Sequence, residues 1–195
     1  QAQYPKVHST VNFVPSLLSQ IQAYAEGSAQ DRALTVSAQT VWTREDKEYI
    51  LSFFFSVNEH KVLWHSPRYL ELKARRDATQ ANVDVFSVAD YLDIIALFNL
   101  SWMDSVELQH DDAFLRVAHK GAGYSPEDIR FILAKQREVI AGIIPAYRAL
   151  EARRQVELTT SPYYHPILPL LANTDSAKVS MLGTPLPSPA LVAPE

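Results

Sequence analysis

One short run of the chain, QVELTTSPYYHPILPLL at residues 155–171, brings together a carboxylate in Glu157, two phenols in Tyr163 and Tyr164, and an imidazole in His165. A carboxylate that accepts hydrogen bonds, set beside aromatic faces and a ring nitrogen, suits a polyhydroxylated ligand such as a sugar. Val156, Leu158 and the threonines favour a short strand, while Pro162, Pro166 and Pro169 forbid both a continued ladder and an uninterrupted helix. The chain must therefore turn outward between Ser161 and Pro169, presenting the four groups near the C-terminal end of the strand. The plainer reading of the same residues is that Glu157 pairs with Arg154 or another cation and that His165 packs within its loop.

Other constellations fail on spacing. His60 and His65 do not share a helical face, His110-Asp111-Asp112 reads as a solvated polar turn, and His8-Ser9-Thr10 lacks a spaced second histidine. No metal and no cofactor is implied, and there is no G-x-S-x-G elbow, P-loop or dinucleotide fingerprint. Trp102 could stack on a sugar face with Asn99 donating beside it, against the alternative of a core tryptophan closing a buried helix. Trp42 and Trp64 carry less signal.

The elements that must position these groups are mostly helical. Residues 7–14, VHSTVNFV, read as a strand, followed directly by a helix with Leu17, Leu18, Ile21 and Tyr24 on one face and Gly27 at its end. Thr43 caps a helix whose core face is Tyr49, Ile50, Phe53, Phe54 and Val57; Ser66-Pro67 opens another through Arg76. Ser87, with Asp90 three residues on, opens a helix so apolar that it must be buried through Trp102. Ser125-Pro126-Glu127-Asp128 starts a long helix toward Arg153, striped by Ile129, Ile132, Leu133, Val139, Ile140, Ile143 and Ile144, with a kink expected at Pro145. Residues 173–195 are rich in Ser, Thr and Pro and read as an extended loop or tail. Two strands separated by a long helical crossover make an unstable sheet unless something else covers them. If they pair in parallel, Asn12 and Pro15 fall beside Thr159 to His165.

The 195 residues, 47% apolar, suffice for one domain or a large part of one, and the net charge of −4 is spread without a basic stripe, so nucleic acid is not an expected partner. No stretch is apolar for the roughly 18 to 20 residues that span a bilayer, so no membrane partner is expected. The absence of cysteine and of a secretory pattern at the N-terminus leads to an expected cytoplasmic location.

The 155–171 run resembles the third barrel strand of glycoside hydrolase family 57, whose members carry G-Q-V-E-[IL]-[ST]-T-[ST]-P-[YF]-Y-H-P-I-L-P-L-L. Four further stretches in the same order strengthen the resemblance: VNFVPSLLSQI (11–21), SPRYLEL (66–72), FSVADYLDIIALFNLSWMD (86–104) and IIPAYRALEARRQVE (143–157). The resemblance implies an α/β fold in which residues 1–172 supply part of a seven-stranded (β/α) barrel, two parallel strands with a long helical insertion, and residues 173–195 a Pro-rich loop or tail. It implies a retaining hydrolase or transglycosidase of the α-amylase or α-mannosidase branch, an α-glucan or oligosaccharide as substrate, and Glu157, His165 and Tyr163 as substrate-binding residues, to which the stacking face of Trp102 and the strand position of Asn12 add two more candidates. The family's opening His-Gln-Pro strand is missing, and its nucleophilic glutamate and general-acid aspartate fall beyond this sequence. The expectation is thus a fragment with no catalytic residue of its own, inactive alone and partnered by the remainder of a parent chain. Arg154 departs from the family, which usually has glycine before Gln-Val-Glu. The alternatives from other classes are a non-enzymatic helical interaction module and a metal-dependent polysaccharide deacetylase of similar barrel.

Overall fold

The computed structural model describes residues 4–57, 66–103 and 111–192. His60, Trp64, His65 and His110 lie outside them. The described elements are strands β1 (Ser9–Phe13) and β2 (Val156–Thr160) and helices α1 (Pro15–Glu26), α2 (Arg32–Ala38), α3 (Arg44–Phe53), α4 (Pro67–Ala78), α5 (Val88–Ser101), α6 (Asp112–Ala118), α7 (Pro126–Ala152) and α8 (Leu168–Ala172). Short 3-10 turns cover Val83–Val85 and Thr174–Val179. The chain divides into a contiguous unit, residues 24–141, and a discontinuous one formed by residues 1–23 and 142–195.

In the discontinuous unit β1 and β2 pair in parallel, Ser9 opposite Val156 through Phe13 opposite Thr160. The period-2 alternation of strands divides their side chains between two faces. Val11, Phe13, Val156 and Leu158 take the covered face, Val156 fully buried and Phe13 edge-on to Tyr147 of α7 at 4.8 Å. Thr10, Asn12, Glu157 and Thr159 take the other, exposed face. Gln155, 4% exposed, donates from Nε2 to the Tyr4 carbonyl at 2.8 Å and so ties down the segment that enters β1. The Pro-rich stretch carries local structure: α8, the following 3-10 turn, and a bridge of Asn173 to Val192 supported by Thr174 N–H to Leu191 O at 3.0 Å.

The contiguous unit is helical, and side chains cap its helices. Asp31 accepts from Leu34 N–H, Ser66 from Tyr69 N–H and Asp111 from Phe114 N–H, while Thr43 with Asp46 and Ser87 with Asp90 form reciprocal capping boxes. Ser125 and Asp128 exchange the same pair of bonds at the start of α7. Helix α2 is unanticipated by apolar periodicity because it is only two turns long. Helix α6 replaces the polar turn expected at Asp111-Asp112, because Asp111 works as its N-cap.

The core of this unit gathers Ile50 and Leu51 of α3 with Phe54 at its C-cap, Tyr69 and Leu72 of α4, most of α5, and Ile129 and Ile132 of α7. Helix α5 is buried nearly all round, as its composition requires. Arg68 reaches from α4 into α5, donating from Nε to Asp93 Oδ2 at 2.8 Å and from Nη2 to Asp90 Oδ1 at 2.5 Å. The other Asp93 oxygen accepts from Tyr124 N–H at 2.9 Å. Helix α7 continues through Pro145 to Ala152, and within it Ile129 and Ile132 are buried while Ile140, Ile143 and Ile144 are only half-buried.

Gly27 ends α1 in the left-handed region, φ +78, and the Arg137 guanidinium lies 2.8 Å from where a Cβ would stand. Arg137 Nε donates to the Ala25 carbonyl at 2.8 Å, capping the negative end of the helix. A Gly27→Ala chain is expected to lose about 1–2 kcal/mol, from the left-handed conformation and from displacement of the cap. Urea unfolding of the two chains measures it, and an unchanged midpoint would refute the capping role.

Candidate functional site

The junction from α7 into β2 decides how Glu157 is offered. Arg154 N–H bonds Glu151 O at 2.7 Å and Gln155 N–H bonds Leu150 O at 3.0 Å, the two bonds of a Schellman helix stop. That stop needs a left-handed residue, and Arg154 supplies it with φ 56 where a glycine would be unstrained. His8 Nδ1 lies 3.0 Å from the Arg154 carbonyl; since a carbonyl only accepts, Nδ1 carries the proton. Replacing Arg154 by glycine is expected to raise stability by about 0.5–1 kcal/mol, measured as a higher denaturation midpoint; a drop would show that the side chain itself braces the junction.

Glu157 is the second residue of β2, so the expectation that it stands near the strand's C-terminal end is corrected. Its side chain lies on the exposed face, where Oε2 accepts from the Thr10 hydroxyl at 3.1 Å. Among the described residues it forms no ion pair with Arg154 or any other cation. One rung further along, Asn12 Nδ2 donates to Thr159 Oγ1 at 3.2 Å and Asn12 Oδ1 accepts from the Ser161 hydroxyl at 3.4 Å. Ser161 Oγ also lies 2.7 Å from His165 Nδ1. With its one proton given to Asn12, the hydroxyl accepts from Nδ1–H, leaving His165 Nε2 as an outward acceptor. His165 is held at φ 54 by its N–H bond to Pro162 O at 2.8 Å.

Tyr163 braces this loop. Its hydroxyl donates to Ser19 Oγ at 3.0 Å and its carbonyl accepts from Ser16 N–H at 3.1 Å, both on α1. Its ring stays half-exposed, edge-on to Tyr164 at 4.8 Å, and Tyr164 is 83% exposed.

Asn12, Tyr163 and His165 thus share the C-terminal end of the sheet, and Glu157 sits about 7 Å back along the same face, one two-residue strand step. Trp102 belongs to the other unit. It is 65% exposed, edge-on to Phe98 at 6.2 Å, so it is not a core tryptophan. Asn99 is buried with Nδ2 committed to Ser37 Oγ at 3.0 Å and Ile95 O at 2.9 Å, which removes it as a donor to a ligand. Trp42 is buried, its ring N–H bonded to Val36 O.

Thr10, Thr159, Ser161, His8 and Arg154 were not singled out for the site from the sequence. Period-2 alternation around Asn12 and Glu157 points to the first two, since Thr10 and Thr159 share their face once the strands are in register. Among the described residues no group of three or more His, Asp or Glu could hold a metal ion, and no helix is long and apolar enough to cross a membrane.

A family model described as glycosyl hydrolase family 57 matches residues 2–182 of the chain. No curated protein and no solved structure matches it at a significant level.

Proposed function

The chain belongs to glycosyl hydrolase family 57, and from that premise we propose that it forms the substrate-holding part of a glycoside hydrolase acting on α-glucans with retention of configuration. The observation that supports this most is the polar face of the sheet. Glu157 uses one carboxylate oxygen on Thr10 and keeps its remaining lone pairs open beside Asn12, while His165 is tied to the end of the same face through Ser161 and Tyr163 braces the loop that carries it. A sugar laid along it would donate hydroxyl protons to Glu157 and His165 and receive one from the Asn12–Thr159 rung.

Retaining chemistry needs a nucleophile and an acid on either side of the scissile bond. Glu157 is assigned neither role, and the two catalytic carboxylates are placed on strands other than β1 and β2. Residues 1–172 would then contribute part of a barrel and residues 173–195 a loop at its edge, in a cytoplasmic enzyme. Trp102 is a separate stacking surface in this proposal.

Titration of the chain with maltooligosaccharides tests the reading. Glu157→Gln is expected to weaken binding by about 10- to 100-fold, the range for losing a hydrogen bond to a charged group. Equal affinity in both chains would overturn the role of Glu157, and measurable turnover of an α-glucan by the purified chain would overturn the placement of the catalytic pair.

A further inference from the structure

Arg154 and Glu157 line one open pocket on the sheet. The cavity, about 340 Å³, opens at the N-terminal end of the sheet and is bounded by His8, Ser9, Thr10, Arg154, Gln155 and Glu157. Its volume is at the small end of ligand pockets and it is open to solvent, so it seats one sugar unit without enclosing it. Among the described residues the Arg154 guanidinium has no ion-pair or hydrogen-bond partner, although its backbone is fixed on both sides by the helix stop and by His8. Arg154 also holds a left-handed backbone that disfavours a residue with a Cβ, so glycine can replace it without backbone strain.

The charges in the cavity select among ligands. A free inorganic anion would meet the Glu157 carboxylate, and an amine would meet Arg154. A neutral sugar satisfies Glu157 through its hydroxyls but gains no charge-assisted bond from the exposed Arg154 side chain. A sugar that carries its own oxyanion answers both, its hydroxyls donating to Glu157 and its carboxylate lying across the planar fork of Arg154 in a two-bond contact.

We propose that this cavity is a subsite for an acidic sugar, a glycosyl unit whose carboxylate is held by Arg154 while Glu157 accepts from its hydroxyls. It rests on the saccharide-binding reading of Glu157 given above.

Two-dimensional amide NMR of the 195-residue chain, followed at Thr10 and Glu157, tests it with methyl α-D-glucuronoside, methyl α-D-glucoside and glucose 6-phosphate. The glucuronoside is expected to bind about tenfold or more tightly than the glucoside, with the advantage shrinking as salt is raised. Arg154→Gly removes the guanidinium at a position that favours glycine, so the variant folds; it should bring the glucuronoside down to the glucoside's affinity, while Arg154→Lys keeps part of the difference. If maltooligosaccharides and the glucoside bind but the glucuronoside gains nothing, the acidic subsite is wrong and the saccharide reading of Glu157 stands. If no saccharide perturbs Thr10 or Glu157, both fall. A response to the sugar phosphate that exceeds the glucuronoside's and survives in Arg154→Gly also overturns the assignment.

Discussion

An Arg68→Met chain is expected to lose about 3–5 kcal/mol of stability, the cost of stranding a buried charge rather than the net worth of an ion pair. Arg68 is the main counter-charge inside the helical unit, bonded to Asp93, Asp90 and Glu71 together, with the two aspartates almost wholly buried. Removing it leaves Asp90 with Arg75 at 3.1 Å, but leaves Asp93 with only the Tyr124 N–H. Adding Asp93→Asn should restore part of the loss, because the remaining amide no longer buries a charge. Chemical unfolding of the three chains measures both effects, and a single-variant loss below about 1 kcal/mol would mean that water reaches the aspartates.

The same network sets a pH dependence. Burial pushes the Asp90 carboxyl up, yet the hydrogen bonds from Ser87 and Arg68 outweigh it and hold the group below its ordinary value. A carboxylate with a lowered folded pKa contributes stability that is fully present above its unfolded value near pH 4 and is lost as pH falls through the folded value. Asp128 is lowered in the same sense: burial again opposes, and Lys120 and Ser125 prevail. Stability should therefore fall below about pH 4, and less steeply in Arg68→Met.

Phe54→Ala is the second large effect, expected at about 3–5 kcal/mol. Phe54 is completely buried, stacked on Phe98 at 4.2 Å and 21° and edge-on to Tyr49 at 5.9 Å, so truncation opens a cavity between α3 and α5 that the helices cannot close. Trp102→Ala is the control, since the larger ring is mostly in solvent and its loss should cost well under 1 kcal/mol. Thermal unfolding of the two variants should separate them widely; similar midpoints would misplace the core.

Those two aromatics also mark where the sequence stops being legible. Helical spacing correctly groups Ile50 and Phe54 on the buried side of α3, yet Phe53 is 42% exposed and Trp102 lies in solvent. Periodicity tells which residues share a face but not how wide the covering neighbour is. Helix starts were readable at Thr43, Ser66, Ser87 and Ser125 because a hydroxyl cap is a local chemical event. The start at Asp31 was equally local but opened a helix too short to show a stripe. Both strands were visible from their β-branched residues. The position of Glu157 along β2 was not, because where a strand begins is decided by the helix stop at Arg154, whose left-handed backbone no side chain there announces.

The register of β1 against β2 also governs when the sheet can form. Thr10 and Glu157 are 147 residues apart, so at roughly 5 to 20 residues per second β1 leaves the ribosome about 7 to 30 seconds before its partner exists. The contiguous helical unit, residues 24–141, can complete its core during that interval from contacts it already holds. Val11 and Phe13 meanwhile lie on an unpaired edge, open to capture by any passing strand. Synthesis of this chain therefore carries a built-in waiting period for its first strand, in which a chaperone that shields a short apolar segment has its clearest target.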